Sequence, residues 1–199
     1  MKTQKSSLVS THYPVMLSEV IKISSPSQGG LFVDCTFGGG NYSNALLEFP
    51  KTKVIGIDRD SEAASIASQL EKKFKKRFEF YRVKFSQVDN ILKNYADTII
   101  FDLGLSSIQI NNLSRGFSFK SKDKLDMSMG LSNISAQDVV NNLCESQLKL
   151  IIKTLGEEKE ASKIAKNIAL ARSKKKITRV DELVKIIEVN YLDSINTSI

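Results

Sequence analysis

The sequence predicts an α/β fold built on a parallel sheet and followed by a helical region. Three observations carry this expectation. Short apolar runs at 31–34, 53–57, 78–83 and 98–101 alternate with segments of helical periodicity. The first run leads directly into three consecutive glycines, Gly38, Gly39 and Gly40. Asp34, Asp58, Phe85 and Asp102 each end or follow one of the four runs. Right-handed crossovers between parallel strands would bring all four to one sheet edge, where open α/β folds bind ligands.

Taken in order, residues 1–11 are polar and expected to fray. His12-Tyr13-Pro14 then introduces Val15, Leu17, Val20 and Ile21, an amphipathic spacing with Pro14 near the first turn. His12 is the single histidine, and a capping or packing role suits it better than a metal site. Residues 41–49 form the first crossover helix. After the second strand, Asp60 or Ser61 can cap a helix whose inner face is Ala63, Ile66, Ala67, Leu70 and Phe74. Lys72, Lys73, Lys75, Lys76 and Arg77 follow on its last turn, where cations complement the helix dipole and a solvated end is the expectation. Residues 78–83 give the third strand, 88–95 another helix and 98–101 the fourth strand, with Lys84-Phe85-Ser86 as a βα turn. Phe85 there is equally a core aromatic or a stacking surface for an adenine.

Beyond Leu103 the texture changes to a long irregular loop, which in a compact domain is functional or disordered. From Ser135 onward the pattern is helical. Ser135 with Asp138, and Thr178 with Asp181, have capping-box spacing. Leu148, Ile151, Ile152 and Leu155 ahead of Gly156 form one apolar stripe, and Ala161, Ile164, Ala165 and Ile168 the next. Both fit a small helical core. Arg172, Lys174, Lys175 and Lys176 are equally a phosphate contact and a solvated loop. The expected division is 1–110 for the N-terminal part of the α/β domain, 111–134 for the loop region and 135–199 for the helical domain.

The chemistry concentrates in LFVDCTFGGGNYS, a strand, glycine loop and helix start. Glycine lets the backbone turn sharply and approach a ligand, while a helix start offers free N–H groups. Asp58 lies twenty residues beyond Gly38, the spacing at which nucleotide-binding folds place a carboxylate for ribose hydroxyls. The third glycine of the dinucleotide fingerprint is replaced by Ser43, which argues for an adenosine-like ribose without a pyrophosphate.

The 199 residues, 41% apolar, suit one domain with an appendage. A net charge of +7 fits a polyanionic partner, yet it is carried mostly by lysine and is equally a compositional bias. Cys35 and Cys144 match no zinc spacing, and no signal peptide or long apolar span is evident, so a reducing cytoplasm and no membrane are expected.

HYPVMLSEVI, DCTFGGGNYS, GIDRD, FDLGLSSIQI, RGFSF, LDM, GEEKEASKIAKNI and ITRVDEL together resemble the bacterial small-subunit ribosomal RNA cytosine-N4 methyltransferase family (RsmH, formerly MraW). The resemblance runs almost continuously from His12 to about Leu183. It implies a class I S-adenosylmethionine-dependent methyltransferase fold, Rossmann-like, with a helical insertion domain. It also implies 16S ribosomal RNA or the small ribosomal subunit as partner and N4-methylation of a decoding-centre cytidine as the reaction. The family's S-adenosyl-L-methionine contacts fall on Gly40, Asn41, Tyr42, Asp58, Phe85, Asp102 and Gln109. Asp102 is also the expected catalytic acceptor for the target amine, and no metal is implied. Phe117 and Phe119 are candidates to receive an unstacked base, with core packing as the slightly favoured alternative. Asn41 stands where the family usually has glycine and Tyr42 where it has histidine; asparagine tolerates left-handed backbone, so the turn is expected to survive. Family members continue well beyond the point where this sequence stops, so an incomplete sheet lacking its C-terminal part is expected. That leaves two readings, an active methyltransferase or a cofactor- or RNA-binding fragment without efficient turnover. A dehydrogenase is disfavoured by Ser43 and by DLGLSSIQ.

Overall fold

In a computed structural model, residues 14–93 and 95–196 are described, the side chains of 190–196 excepted. His12 lies outside the described residues. The chain divides into two compact units, one reaching Ile108 and including Met129–Leu131, the other formed by Gln109–Ser128 with the chain from Ser132 onward. The stretch expected as a separate loop region therefore goes mostly with the second unit.

The first unit holds a four-stranded, all-parallel sheet: β1 (Gly30–Asp34), β2 (Thr52–Ile57), β3 (Phe78–Tyr81) and β4 (Thr98–Ile100), in the order β3-β2-β1-β4. This is the Rossmann-like α/β arrangement, and the chain reverses its direction of strand addition between β1 and β4. Asp34 is in register with Gly56 on one side and Ile100 on the other, so the strands end level. The helices α1 (Leu17–Ser24), α2 (Asn41–Leu47) and α3 (Ser61–Phe74) belong to this unit. Strand residues alternate between faces. Phe32, Val54, Phe78 and Ile100 form one core with Leu46, Leu47, Ala63, Ala67 and Leu70. Val33, Cys35 and Ile57 form a second, smaller cluster joined by Val88, Ile91 and Leu92. Asp60 caps α3 by accepting the Glu62 N–H at 3.1 Å, as the sequence suggests.

Three expectations are corrected here. The helix expected over 88–95 is only α4 (Val88–Ile91), preceded by a 3-10 turn at Phe85–Gln87. The chain has to be extended again by Asp97, whose carboxylate accepts the Leu31 N–H at 2.7 Å and whose own N–H donates to the Leu31 carbonyl. The third strand ends at Tyr81 rather than Val83. The basic run is not wholly a solvated helix end. Arg77 turns back, donating to the carbonyls of Leu47 (2.9 Å), Phe49 (2.9 Å) and Thr52 (3.4 Å), and so satisfies the chain between α2 and β2.

The second unit has its own core. A helix α5 (Ser107–Asn111) ends in it, and α6 (Ala136–Asn142), α7 (Glu145–Gly156), α8 (Ala161–Lys174) and α9 (Val180–Asn196) follow. Leu125, Val140, Leu148, Ile164, Ala165, Ile168, Ile177 and Val180 are buried together. The α8 stripe is buried as expected, whereas in α7 only Leu148 and, in part, Ile152 face the core; Leu155 is 80% exposed. The capping box of Ser135 and Asp138 is present. The second expected box uses a different partner. Glu182, not Asp181, accepts the N–H groups of Thr178 (2.9 Å) and Arg179 (3.2 Å), while Asp181 pairs with Arg179 at 3.0 Å. Arg172 donates to the Val140 carbonyl at 2.7 Å and is partly buried, so it is a structural residue of this unit. Lys175 is paired with Glu182 at 2.8 Å. Among the described residues no helix is long and apolar enough to cross a membrane.

Candidate functional site

The site is built where β1 runs out. Cys35 N–H donates to the Ile100 carbonyl and Phe37 N–H to the Ile57 carbonyl, so the chain is held over the ends of β4 and β2 as it enters the glycine loop. Phe37 is buried, its ring 5.6 Å from that of Phe78 and 5.2 Å from that of Phe80. Gly38 (φ 47°) and Gly40 (φ 73°) take the left-handed backbone that L side chains resist. At Gly40 a Cβ would also come within 2.7 Å of the Phe37 ring. Asn41, by contrast, is the first residue of α2 and is not left-handed. The turn's tolerance of asparagine therefore needs no special property of asparagine. Because α2 has only seven residues, its dipole is a weak anchor for an anion, in keeping with a loop shaped for something other than a pyrophosphate.

Three side chains fasten this loop. Asp58, just past β2, accepts the Gly38 N–H at 2.8 Å through one oxygen and the Asp60 N–H at 2.9 Å through the other. The Asp102 N–H donates to Thr36 Oγ1 at 2.7 Å, which ties the end of β4 to the loop. Asp34 is fully buried; it accepts the Thr36 N–H at 3.3 Å and the Ser43 hydroxyl at 2.8 Å. Burial pushes the Asp34 carboxyl up to about 6 despite those two bonds, and the negative charge of Asp58 acts in the same direction.

Tyr42 is buried, and its hydroxyl donates to the Val15 carbonyl ahead of α1. Its phenol is raised above the ordinary value by burial first, then by the charges of Asp102 and Asp34. The tyrosine therefore ties the segment before α1 to α2 and lies beside the Asp102 carboxylate. Asp102 itself is exposed. Phe85 is not a core aromatic: it is 46% exposed and packs edge-on against Phe101, with ring centroids 5.7 Å apart.

The sequence-predicted residues Gly40, Asn41, Tyr42, Asp58, Phe85 and Asp102 all belong to the first unit, at or just beyond the carboxyl ends of its strands. Gln109 is a buried residue of the second unit. In that unit Phe119 is 74% exposed, which overturns core packing for it, and Phe117 is half-buried with the Arg115 guanidinium 5.4 Å from its ring. The first-unit residues fit an adenosine-type cofactor. Each Asp58 oxygen carries one backbone bond, and a carboxylate oxygen accepts two, which leaves capacity for a ribose diol. Gly104, with φ 150° and open space where a Cβ would stand, keeps the backbone after Asp102 uncrowded. Sequence reasoning missed the Asp34, Thr36 and Ser43 connections; their one signal was the serine standing where a third glycine was sought.

Residues 9–194 match the model of the MraW methylase family. The chain is 42% identical over 183 residues to the ribosomal RNA small subunit methyltransferase H of Maricaulis maris, covering 90% of this chain and 55% of that protein. It is 42% identical over 178 residues to the protein of that name from Orientia tsutsugamushi (88% and 57%), and 40% identical over 194 residues to that of Ehrlichia ruminantium (94% and 64%). The chain thus spans 55–64% of the length of these relatives. An rRNA methylase structure from Streptococcus thermophilus, with a TM-score of 0.38 and 21% identity over 47% of this chain and 57% of that one, is too remote to bear on the site.

Proposed function

The chain belongs to the MraW methylase family, and from that premise we propose that it is an S-adenosylmethionine-dependent methyltransferase of small-subunit (16S) ribosomal RNA, directed at the N4 amine of a decoding-centre cytidine. The observation that carries the reading is the meeting of Gly38 with Asp58 and of Thr36 with Asp102 across the ends of β1, β2 and β4, at the point where the strand order reverses. The name its relatives carry, ribosomal RNA small subunit methyltransferase H, supports the substrate class.

When bound, the cofactor supplies an electrophilic sulfonium methyl. Asp58 would accept the ribose hydroxyls, and the half-exposed Phe85, backed edge-on by Phe101, would offer an aromatic surface for the adenine. Gly40, Asn41 and Tyr42 frame the loop against the remainder of the cofactor. The amine of cytosine is a poor nucleophile because its lone pair is delocalised into the ring, so positioning is the main task and can supply about 7–11 kcal/mol of barrier lowering. Asp102, an exposed residue whose backbone N–H is bonded to Thr36, would accept an amine N–H and take the proton released as the nitrogen gains the methyl that sulfur gives up.

A second reading is favoured by one observation: among the described residues β4 pairs with β1 alone, and Ile99 and Phe101 along it are about half exposed. On this reading the chain binds the cofactor without efficient turnover. One experiment separates the two. The purified chain is incubated with labelled S-adenosylmethionine and small ribosomal subunits from cells lacking the family enzyme, and the digested RNA is examined for N4-methylcytidine by mass spectrometry. The proposed function requires the modified nucleoside to accumulate over many turnovers. Cofactor binding without product would leave the second reading.

A further inference from the structure

Asp34 is a charged group placed where neutral packing would be easier. It and Ser43 are both 0% exposed. The groups that face it are Asp58 from the end of β2, which repels it, the Tyr42 phenol from α2 and the Cys35 thiol beside it in the chain. Burying a carboxylate is costly unless strong bonds to its oxygens are gained. Its bonds lie at opposite ends of the loop: the Thr36 N–H on one oxygen, and on the other the Ser43 Oγ–H, with the Ser43 backbone also bonding to the carboxylate. The segment between them contains both left-handed glycines and the N–H that Asp58 holds.

We propose that Asp34 and Ser43 form a clasp in which Asp34 is a positioning residue, closing the glycine loop from beneath and fixing the shape in which it meets the cofactor. Ser43 then explains the broken glycine fingerprint. Its side chain occupies the third-glycine position because the buried carboxylate requires a hydroxyl donor there. The clasp rests on the cofactor reading above only for what the loop holds; the fixing of the loop itself can be observed without ligand. Protonation of Asp34 weakens the clasp, since a neutral acid is the poorer acceptor. Cofactor affinity should therefore decline on acidification through about 6.

The test uses the purified chain, Ser43→Ala, Asp34→Asn and the double variant, with two measurements. Ligand-free hydrogen–deuterium exchange should show the amides from Thr36 to Gly40 opening about tenfold faster in Ser43→Ala, the effect of losing one charged hydrogen bond, with those of α3 unchanged. Calorimetry with S-adenosylmethionine at pH 7.5 should show about tenfold weaker binding for Ser43→Ala, and the double variant no weaker than the worse single. Between pH 7.5 and 5.0 the native affinity should fall further than that of Asp34→Asn. Unchanged loop exchange in both single variants, or additive losses in the double, would overturn the clasp. Accelerated loop exchange in a chain that never binds S-adenosylmethionine would uphold the clasp and remove the cofactor reading instead.

Discussion

Replacing Asp34 by asparagine should stabilise the first unit at neutral pH while the same change weakens its proposed ligand site. The folded-state carboxyl is raised from 3.8 to about 6, chiefly by burial. A carboxyl whose folded pKa is raised binds its proton more tightly when folded, so its favourable contribution is complete below about pH 4 and is lost as pH rises through about 6. A shift of about 2 units at about 1.4 kcal/mol each makes the ionised group cost on the order of 3 kcal/mol at pH 7.5. Asparagine removes that cost and can still accept the Thr36 N–H, while the Ser43 hydroxyl can rotate to meet the amide. Urea unfolding followed by circular dichroism at pH 4.5, 6 and 7.5 reads the effect. The difference between native chain and variant, in which the other titrating groups cancel, should move by about 2 kcal/mol in favour of the variant as pH rises. A difference that stays constant over this range, or moves the other way, would refute a buried Asp34 charge whose hydrogen bonds fall short of offsetting its burial.

Arg77→Met keeps the aliphatic stem but removes the donors to Leu47, Phe49 and Thr52; thermal denaturation should show a loss of about 1.5–3 kcal/mol. Gly40→Ala forces a left-handed alanine against the Phe37 ring and should cost about 1–3 kcal/mol in the same assay. Glu182→Ala should destabilise the second unit by about 0.5–2 kcal/mol, the cost of losing a helix cap, with the amides at the start of α9 exchanging faster. The native Glu182 carboxyl is held down to about 2 by its bond to Lys175 and by the Thr178 N–H. The native advantage should therefore be complete above about pH 4.5 and shrink as pH falls toward 2, as circular dichroism across that range would report.

The parallel sheet and its crossover helices were legible because buried strands and amphipathic helices carry their periodicity in every residue. Val33, Val54, Ala67 and Leu70 had to be apolar wherever the loops went. Asp58 was legible for a similar reason, since its distance from the glycine turn is set by one crossover. What escaped depends on side chains meeting across long separations. Arg77 looks like the last member of a lysine run, and only the packing of α2 against β2 brings the Leu47, Phe49 and Thr52 carbonyls within its reach. Glu182 prevailed over Asp181 because the longer side chain reaches back to both Thr178 and Arg179 N–H groups. The short α4 was hidden because Asp97, sixty-six residues from Leu31, ends its pattern from across the sheet. Ser43 was counted as a missing glycine when it is half of a buried pair with Asp34. In α7 the apolar spacing of Ile151 and Leu155 was genuine, but the second unit's core is narrower than the stripe.

The most direct measurement is isothermal calorimetry of the purified chain against S-adenosylmethionine and against NAD, repeated with Asp58→Ala. Saturable one-site binding of S-adenosylmethionine is expected, with no binding of NAD. The variant should lose about 1.5–3 kcal/mol, the range for hydrogen bonds to a charged acceptor, if Asp58 serves the ribose as proposed in addition to the Gly38 N–H. Equal affinity for the two dinucleotide- and sulfonium-type ligands, or an Asp58→Ala chain that binds S-adenosylmethionine as tightly as the native one, would contradict a methyl-donor site at the ends of β1, β2 and β4.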